Sequence, residues 1–114
     1  MAPPGGPIDK TPPELIETIP AAGTVNFIGG RVVLLFSEYI DESSIEKGIR
    51  VFPNIEDEIL INIRGTNLTV DFPDNLEKDK TYVINLSRNI KDEHGVEMAE
   101  AIFLAYSTGD KIDN

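Results

Sequence analysis

The chain of 114 residues contains no cysteine, and its only histidine is His94. Without cysteine there is no disulfide, no thiolate nucleophile and no cysteine-ligated zinc, while the compartment stays open because exported bacterial domains also do without it. Positive charge is scarce: 10 Lys and Arg face 20 Asp and Glu, for a net charge of −10 and a pI near 4.4. A nucleic-acid backbone or an anionic membrane surface would meet net repulsion, so neither is an expected partner. No apolar run reaches the length of a membrane span, and the N-terminus lacks the charged and apolar regions of a signal peptide. The chain as it stands is expected to be soluble, with Met1-Ala2 set directly on a linker, Pro3-Pro4-Gly5-Gly6-Pro7.

What is present suits one domain, able at this length to hide roughly two-thirds of the surface of its unfolded chain and so to build a core without staples. The acid is uneven. Residues 38–58 place Glu38, Asp41, Glu42, Glu46, Glu56, Asp57 and Glu58 against Lys47 and Arg50, half of the net charge in under a fifth of the chain. This reads as a solvated face; the alternative is a surface that attracts a cation or steers a partner.

Residues 1–13 hold five of the eight prolines and two glycines, a composition for an extended leader or linker. From Glu14 the pattern changes. Leu15, Ile16 and Ile19 suggest a short edge strand closed by Pro20-Ala21-Ala22-Gly23. Arg31 to Ser37 is apolar on both faces and rich in β-branched residues, the mark of a central strand, with Val32, Leu34 and Phe36 taken as inward. Asp41 to Gly48 fits one helical turn, with capping-box spacing between Ser43 and Glu46 and with Gly48 as a left-handed stop. Ile49–Phe52, Glu58–Ile63, Leu68–Phe72, Thr81–Ser87 and Ala101–Ser107 all alternate, and Arg64-Gly65-Thr66-Asn67 turns 58–72 into a hairpin. Seven short strands without a long helix predict two antiparallel sheets packed face to face.

Leu76 precedes Tyr82 by six residues across the polar turn Glu77-Lys78-Asp79-Lys80. A tyrosine at the start of a sixth strand packs its ring inside while its hydroxyl reaches the backbone of the preceding corner, the arrangement called a tyrosine corner. An ordinary core tyrosine gives the same letters.

These residues resemble the bacterial Ig-like domains of the SbsA type (Big_5) over nearly all of residues 9–109. The resemblance lies in Asp9-Lys10-Thr11-Pro12-Pro13 with Pro20-Ala21-Ala22-Gly23, in Phe36-Ser37-Glu38-Tyr39-Ile40-Asp41, in the Leu76 to Tyr82 corner, in Ile90-Lys91-Asp92-Glu93-His94-Gly95, and in Tyr106-Ser107-Thr108-Gly109. It departs mildly at Tyr106, where the family more often has phenylalanine, and in the acidic stretch between Phe52 and Glu58. Pro4-Gly5-Gly6-Pro7-Ile8-Asp9 is similar to the segment just after the lipidated cysteine of envelope lipoproteins in Bacteroidetes-like bacteria. The resemblance therefore implies an anchor upstream and a further domain after Asp110-Lys111-Ile112-Asp113-Asn114.

Candidate chemistry weighs lightly against this frame. His94 lies between Glu93 and Gly95 in a turn, and no serine stands in a nucleophile-elbow context. Carboxylates are abundant, but a glycosidase needs two of them across a cleft, for which a filled sandwich has little room. Asp92 and the backbone around Gly95 could contribute to a calcium site, although the EF-hand pattern is missing; the preferred reading is a side chain bonding its own turn beside a glycine of positive φ. Asn67-Leu68-Thr69 and Asn85-Leu86-Ser87 match the N-glycosylation triplet, which has no meaning in a host without that machinery. Phe27, Tyr39 and Phe52 are candidate aromatics of a glycan-binding face, with core or loop packing preferred.

The expectation is an all-β, immunoglobulin-like sandwich at 14–109, with a leader at 1–13 and a linker beginning at 110–114. No catalytic, cofactor or metal site is expected. Phe36, Leu76, Tyr82, Leu86, Asp92, Gly95, Tyr106 and Gly109 are assigned structural roles. The expected function is a non-catalytic spacer of an envelope protein, partnered by downstream domains of its own chain; the alternative is a module that binds glycan or protein through the loops at one end of the sandwich.

Overall fold

The computed structural model describes residues 11–53 and 59–111. Seven strands and one helix run in the order β1 (Leu15–Ile19), β2 (Gly30–Phe36), α1 (Glu42–Gly48), β3 (Ile49–Phe52), β4 (Leu60–Arg64), β5 (Asn67–Phe72), β6 (Thr81–Leu86) and β7 (Ile102–Ser107). They form a four-stranded sheet, β1-β2-β5-β4, and a three-stranded sheet, β3-β6-β7, antiparallel throughout. Because side chains alternate along a strand, each sheet turns one face inward, and the two inner faces close on each other as a sandwich.

The inward set obeys the alternation. Val32, Leu34 and Phe36 of β2, Leu68, Val70 and Phe72 of β5, and Tyr82, Ile84 and Leu86 of β6 are all buried. Leu104 and Tyr106 complete the wall from β7, while Ile102 is only partly covered. Burying each such side chain is worth about 1.5–3 kcal/mol, so the interior holds the fold together. Phe27, outside any strand, plugs one end: its ring meets Phe72 edge-on at 5.3 Å and Tyr106 at 5.2 Å. Phe27 is therefore core, not part of an exposed aromatic face.

Around α1 the structure departs from the sequence reading. The N-cap is Asp41 rather than Ser43: its carboxylate accepts from the Ser43 amide at 3.4 Å and from the Ser43 hydroxyl at 2.9 Å. Asp at the cap satisfies an orphan amide and places negative charge at the positive end of the helix, which Ser43, already inside the first turn, cannot do. Seven residues make about two turns. Gly48 is not a left-handed stop, since β3 begins directly after it; it is buried, and a Cβ there would strike the Ile90 side chain. Its missing side chain is a matter of packing.

The β4–β5 hairpin turns through Gly65 and Thr66, with Gly65 at φ +66. Its first strand starts at Leu60, and Glu58, assigned to it from sequence, lies outside the described residues. Leu60 is exposed and Ile63 half-buried because β4 is the outermost strand of its sheet. Among the described residues no helix is long and apolar enough to cross a membrane.

Candidate functional sites at the corners and faces

At one end of the sandwich the Tyr82 ring is buried at the start of β6, and its hydroxyl oxygen accepts the Glu77 amide at 3.1 Å. Leu76 packs against the core beside it. Sequence reasoning missed the partner that closes this corner. The Thr108 hydroxyl donates to the Glu77 carbonyl at 2.6 Å and accepts the Lys80 amide at 2.9 Å, and the Thr108 amide donates to the Lys80 carbonyl at 2.9 Å. The chain leaving β7 is thus tied to the loop before β6. Gly109 is buried there, and a Cβ on it would come within 2.7 Å of Asp79 Oδ1. Only the Thr-Gly pair of the exit hinted at this; nothing in one sequence says what the threonine bonds.

Asp92 is fully buried at the opposite end. Its Oδ1 accepts the amides of His94 and Val96, both at 2.9 Å, a side chain bonding its own turn, and Gly95 in that turn has φ +81. The turn is stitched to the chain after β2, where the Glu93 amide donates to the Tyr39 carbonyl at 2.9 Å and Ile40 bridges Asp92. Ser44, also missed, fixes α1 to the same turn: its hydroxyl donates to the Asp41 carbonyl at 2.7 Å and accepts the Lys91 amide at 3.0 Å. Phe36 and Leu86 are core residues at this end.

Tyr106 is buried in β7, and its hydroxyl donates to the Pro20 carbonyl at 2.8 Å. Burial pushes its phenol above the usual tyrosine range, hydrogen bonding to Thr18 working the other way. Tyr106 therefore ties β7 to the end of β1.

The residues with chemical potential do not converge. His94 is exposed, 3.7 Å from the Glu93 carboxylate, and no serine hydroxyl bonds it among the described residues. No group of three His, Asp or Glu side chains is placed to hold a metal among the described residues. Of the acidic stretch, Asp41 is spent on capping, Glu42 and Glu46 are exposed, and Glu56, Asp57 and Glu58 lie outside the described residues. Tyr39 is 60% exposed and Phe52 51%. They stand at opposite ends: Tyr39 lies over Gly65 of the hairpin turn, whereas Phe52 pairs with Val83 near the tyrosine corner. They do not form one aromatic platform.

Residues 9–108 match the family model of the bacterial Ig-like domain. Among solved structures, an L,D-transpeptidase from Mycobacterium smegmatis superposes with a TM-score of 0.56 at 21% identity, over 87% of this chain and 41% of that one. The N-terminal part of the bacterial S-layer protein SbsC superposes with a TM-score of 0.53 at 18% identity, over 87% of this chain and 24% of that one. The chain spans less than half of either, and at such identities the likeness is one of fold. No curated protein sequence matches the chain. With the family model covering most of its length and the sandwich, corner and turn in place, the chain belongs to the bacterial Ig-like domain family.

Proposed function

We propose that this domain is a non-catalytic structural module of a bacterial cell-envelope protein, a spacer that holds other domains at a distance from an anchor and resists pulling and proteolysis. Family membership supports the reading, as does the presence of a bacterial S-layer protein among the structural neighbours. The observation that carries it is the path of the chain. Glu14 is fastened at one end, its carbonyl accepting the Ser37 amide at 2.8 Å, and Gly109 at the other, its carbonyl accepting the Asn26 amide at 2.7 Å. Tension between them runs along the strands.

Two sets of hydrogen bonds cross that line of force. β1 is paired antiparallel with β2. Residues 23–27 run alongside β7, with Gly23 donating to the Ala105 carbonyl at 2.7 Å, Ser107 to Thr24 at 3.0 Å, and Phe27 to Ser107 at 2.8 Å. Ladder bonds lie perpendicular to the strands, so a pull along them loads the whole set together rather than one at a time. On this reading residues 1–13 are a tether, 14–109 the load-bearing unit, 110–114 the start of a further linker, and the upstream anchor a lipid in the outer membrane.

The test is single-molecule unfolding, helped by a chain without native cysteine. Pulling through thiols at Glu14→Cys and Asp110→Cys is expected to need clearly more force than peeling β4 from β5 through Leu60→Cys and Asp74→Cys. Equal forces in the two geometries would refute the load-bearing role.

A further inference from the structure

The outer face of the four-stranded sheet carries a shallow groove of about 280 Å³, lined by Arg31, Asn62, Arg64, Asn67 and Thr69. Acids outnumber bases two to one in this chain, yet no carboxylate lines this groove. Four other concavities among the described residues each include at least one: Asp41 and Glu97, Glu14 and Glu100, Asp79 and Asp110, or Asp74.

Strand register sets the layout. Arg31 stands opposite Asp71, with Leu60 beyond it; Thr69 lies between Val33 and Asn62, and Asn67 between Leu35 and Arg64, in successive outward rows across β5. The two arginines are therefore four residues apart along the strand direction, roughly 13 Å at about 3.3 Å per residue, with the carboxamides and the hydroxyl between them. Asp71 holds Arg31 by a fork, Nε to Oδ1 at 2.8 Å and Nη2 to Oδ2 at 3.4 Å, which sets the guanidinium plane and leaves Nη1 without a partner. The Arg64 guanidinium and the Asn62 carboxamide make no hydrogen bond or ion pair among the described residues. The groove thus offers the carboxamides of Asn62 and Asn67 and the guanidinium of Arg64, while the fork of Arg31 is already taken by the Asp71 carboxylate and the Thr69 hydroxyl donates to the Asn62 carbonyl at 3.3 Å. Amide and guanidinium groups spaced along a flat face suit a chain of sugar rings, and an arginine fork suits a carboxylate better than a point anion.

We propose that this groove is a binding site for a short acidic glycan, a uronic-acid type oligosaccharide with a carboxylate on the Arg64 fork and ring hydroxyls on the Asn62 and Asn67 carboxamides and on Nη1 of Arg31. The site lies on a sheet face, apart from the sandwich-end loops, and does not depend on the spacer role. Net charge does not forbid it, because at physiological ionic strength a charge is screened beyond about 8 Å, and Asp71 stands four residues along β5 from the row of Arg64, roughly 13 Å at about 3.3 Å per residue.

The experiment is an amide-resolved NMR titration of the intact chain with tetragalacturonate, with neutral maltotetraose and inorganic phosphate in parallel. Saturable shifts confined to Asn62, Arg64, Asn67 and Thr69 at about millimolar ligand, weakened by salt and about tenfold weaker in Arg64→Ala and Asn62→Ala, are expected. Both variants alter exposed side chains, so an unchanged denaturation midpoint certifies their fold. The assignment is overturned if tetragalacturonate gives no saturable shift, if Arg64→Ala binds as well as the parent, or if maltotetraose or phosphate produces the same response. Failure here leaves the pulling experiment untouched, and an ordinary unfolding force leaves this titration untouched.

Discussion

Across the outer face of the three-stranded sheet, Phe52, Val83 and Ala105 stand in one row and Arg50, Asn85 and Phe103 in the next. On the four-stranded sheet the corresponding rows are Arg31, Asp71 and Leu60, then Val33, Thr69 and Asn62, then Leu35, Asn67 and Arg64. Both faces carry apolar side chains, with Phe103 68% and Leu60 71% exposed, but the three-stranded sheet shows two aromatics where the four-stranded sheet interleaves its aliphatics with two arginines, two carboxamides, a hydroxyl and a carboxylate. Their inner faces, by contrast, are interchangeable in character, built from the same aliphatic and aromatic side chains. Burial dictates what stands inside a sandwich, whereas outward positions answer to water and to whatever the domain meets. The contrast locates foldedness in one set of residues and individuality in another.

The sharpest test of that division lies within a single strand. Ile84 is fully buried and Val83, its neighbour on β6, points outward. Ile84→Ala is expected to cost about 2–5 kcal/mol in chemical denaturation through lost burial and the cavity left behind, and Val83→Thr less than about 0.5 kcal/mol. Similar losses at the two positions would mean that the outer face is itself covered.

A second test concerns polar residues that the interior has taken in. Asp92→Ala strips the acceptor from the His94 and Val96 amides and is expected to cost about 1–3 kcal/mol, the range for leaving buried donors unpaired. Tyr82→Phe keeps the ring and loses only the bond from Glu77, for about 1 kcal/mol. If Tyr82→Phe proved costlier than Asp92→Ala, the corner rather than the turn would dominate.

Most of the fold was legible because burial enforces a period of two, and each strand could be placed to within a residue or two from that period alone. The tyrosine corner was legible because its spacing is local, with Leu76, Tyr82 and the turn between them lying within seven residues. What escaped shares one physical character. Thr108 bonding Glu77, Ser44 bonding Lys91 and Tyr106 bonding Pro20 join residues 31, 47 and 86 positions apart, so their partners exist only once the chain has folded. The groove escaped for a related reason: Asn62, Arg64, Asn67 and Thr69 are ordinary outward residues of a hairpin until β2 brings Arg31 beside them. The misreading of Gly48 has the same source, since Ile90, the side chain it makes room for, is 42 positions away.

Tyr106 supplies a smaller, pH-dependent effect. Its phenol is raised by burial, so the fold favours the neutral form, and its hydroxyl donates its proton to Pro20. Linkage gives the sign: the contribution is complete below the ordinary tyrosine value of about 10 and is lost as pH rises through the higher folded value. The denaturation midpoint is expected to fall in that alkaline window and to fall less in Tyr106→Phe. Lys80, raised by its hydrogen bond to Glu77, titrates in the same direction but is exposed, so the residual slope of Tyr106→Phe measures its share. An unchanged slope in Tyr106→Phe would assign the whole effect elsewhere.

The smallest expected effect probes the aromatic outer face itself. Phe52→Ser and Phe103→Ser remove aromatic surface of which half or more already faces solvent and which takes no part in the ring contacts of the core. Surface changes of this kind usually stay within about 0.5 kcal/mol, and the β-propensity of phenylalanine over serine sets the sign as a slight loss. Both variants should therefore unfold at nearly the parental midpoint, and that midpoint should not change with protein concentration. A shared loss above about 1 kcal/mol, or a concentration-dependent midpoint in the parent that disappears in either variant, would show this face to be covered in solution by another copy. The contrast between the sheets would then become one between a solvated face and an interface.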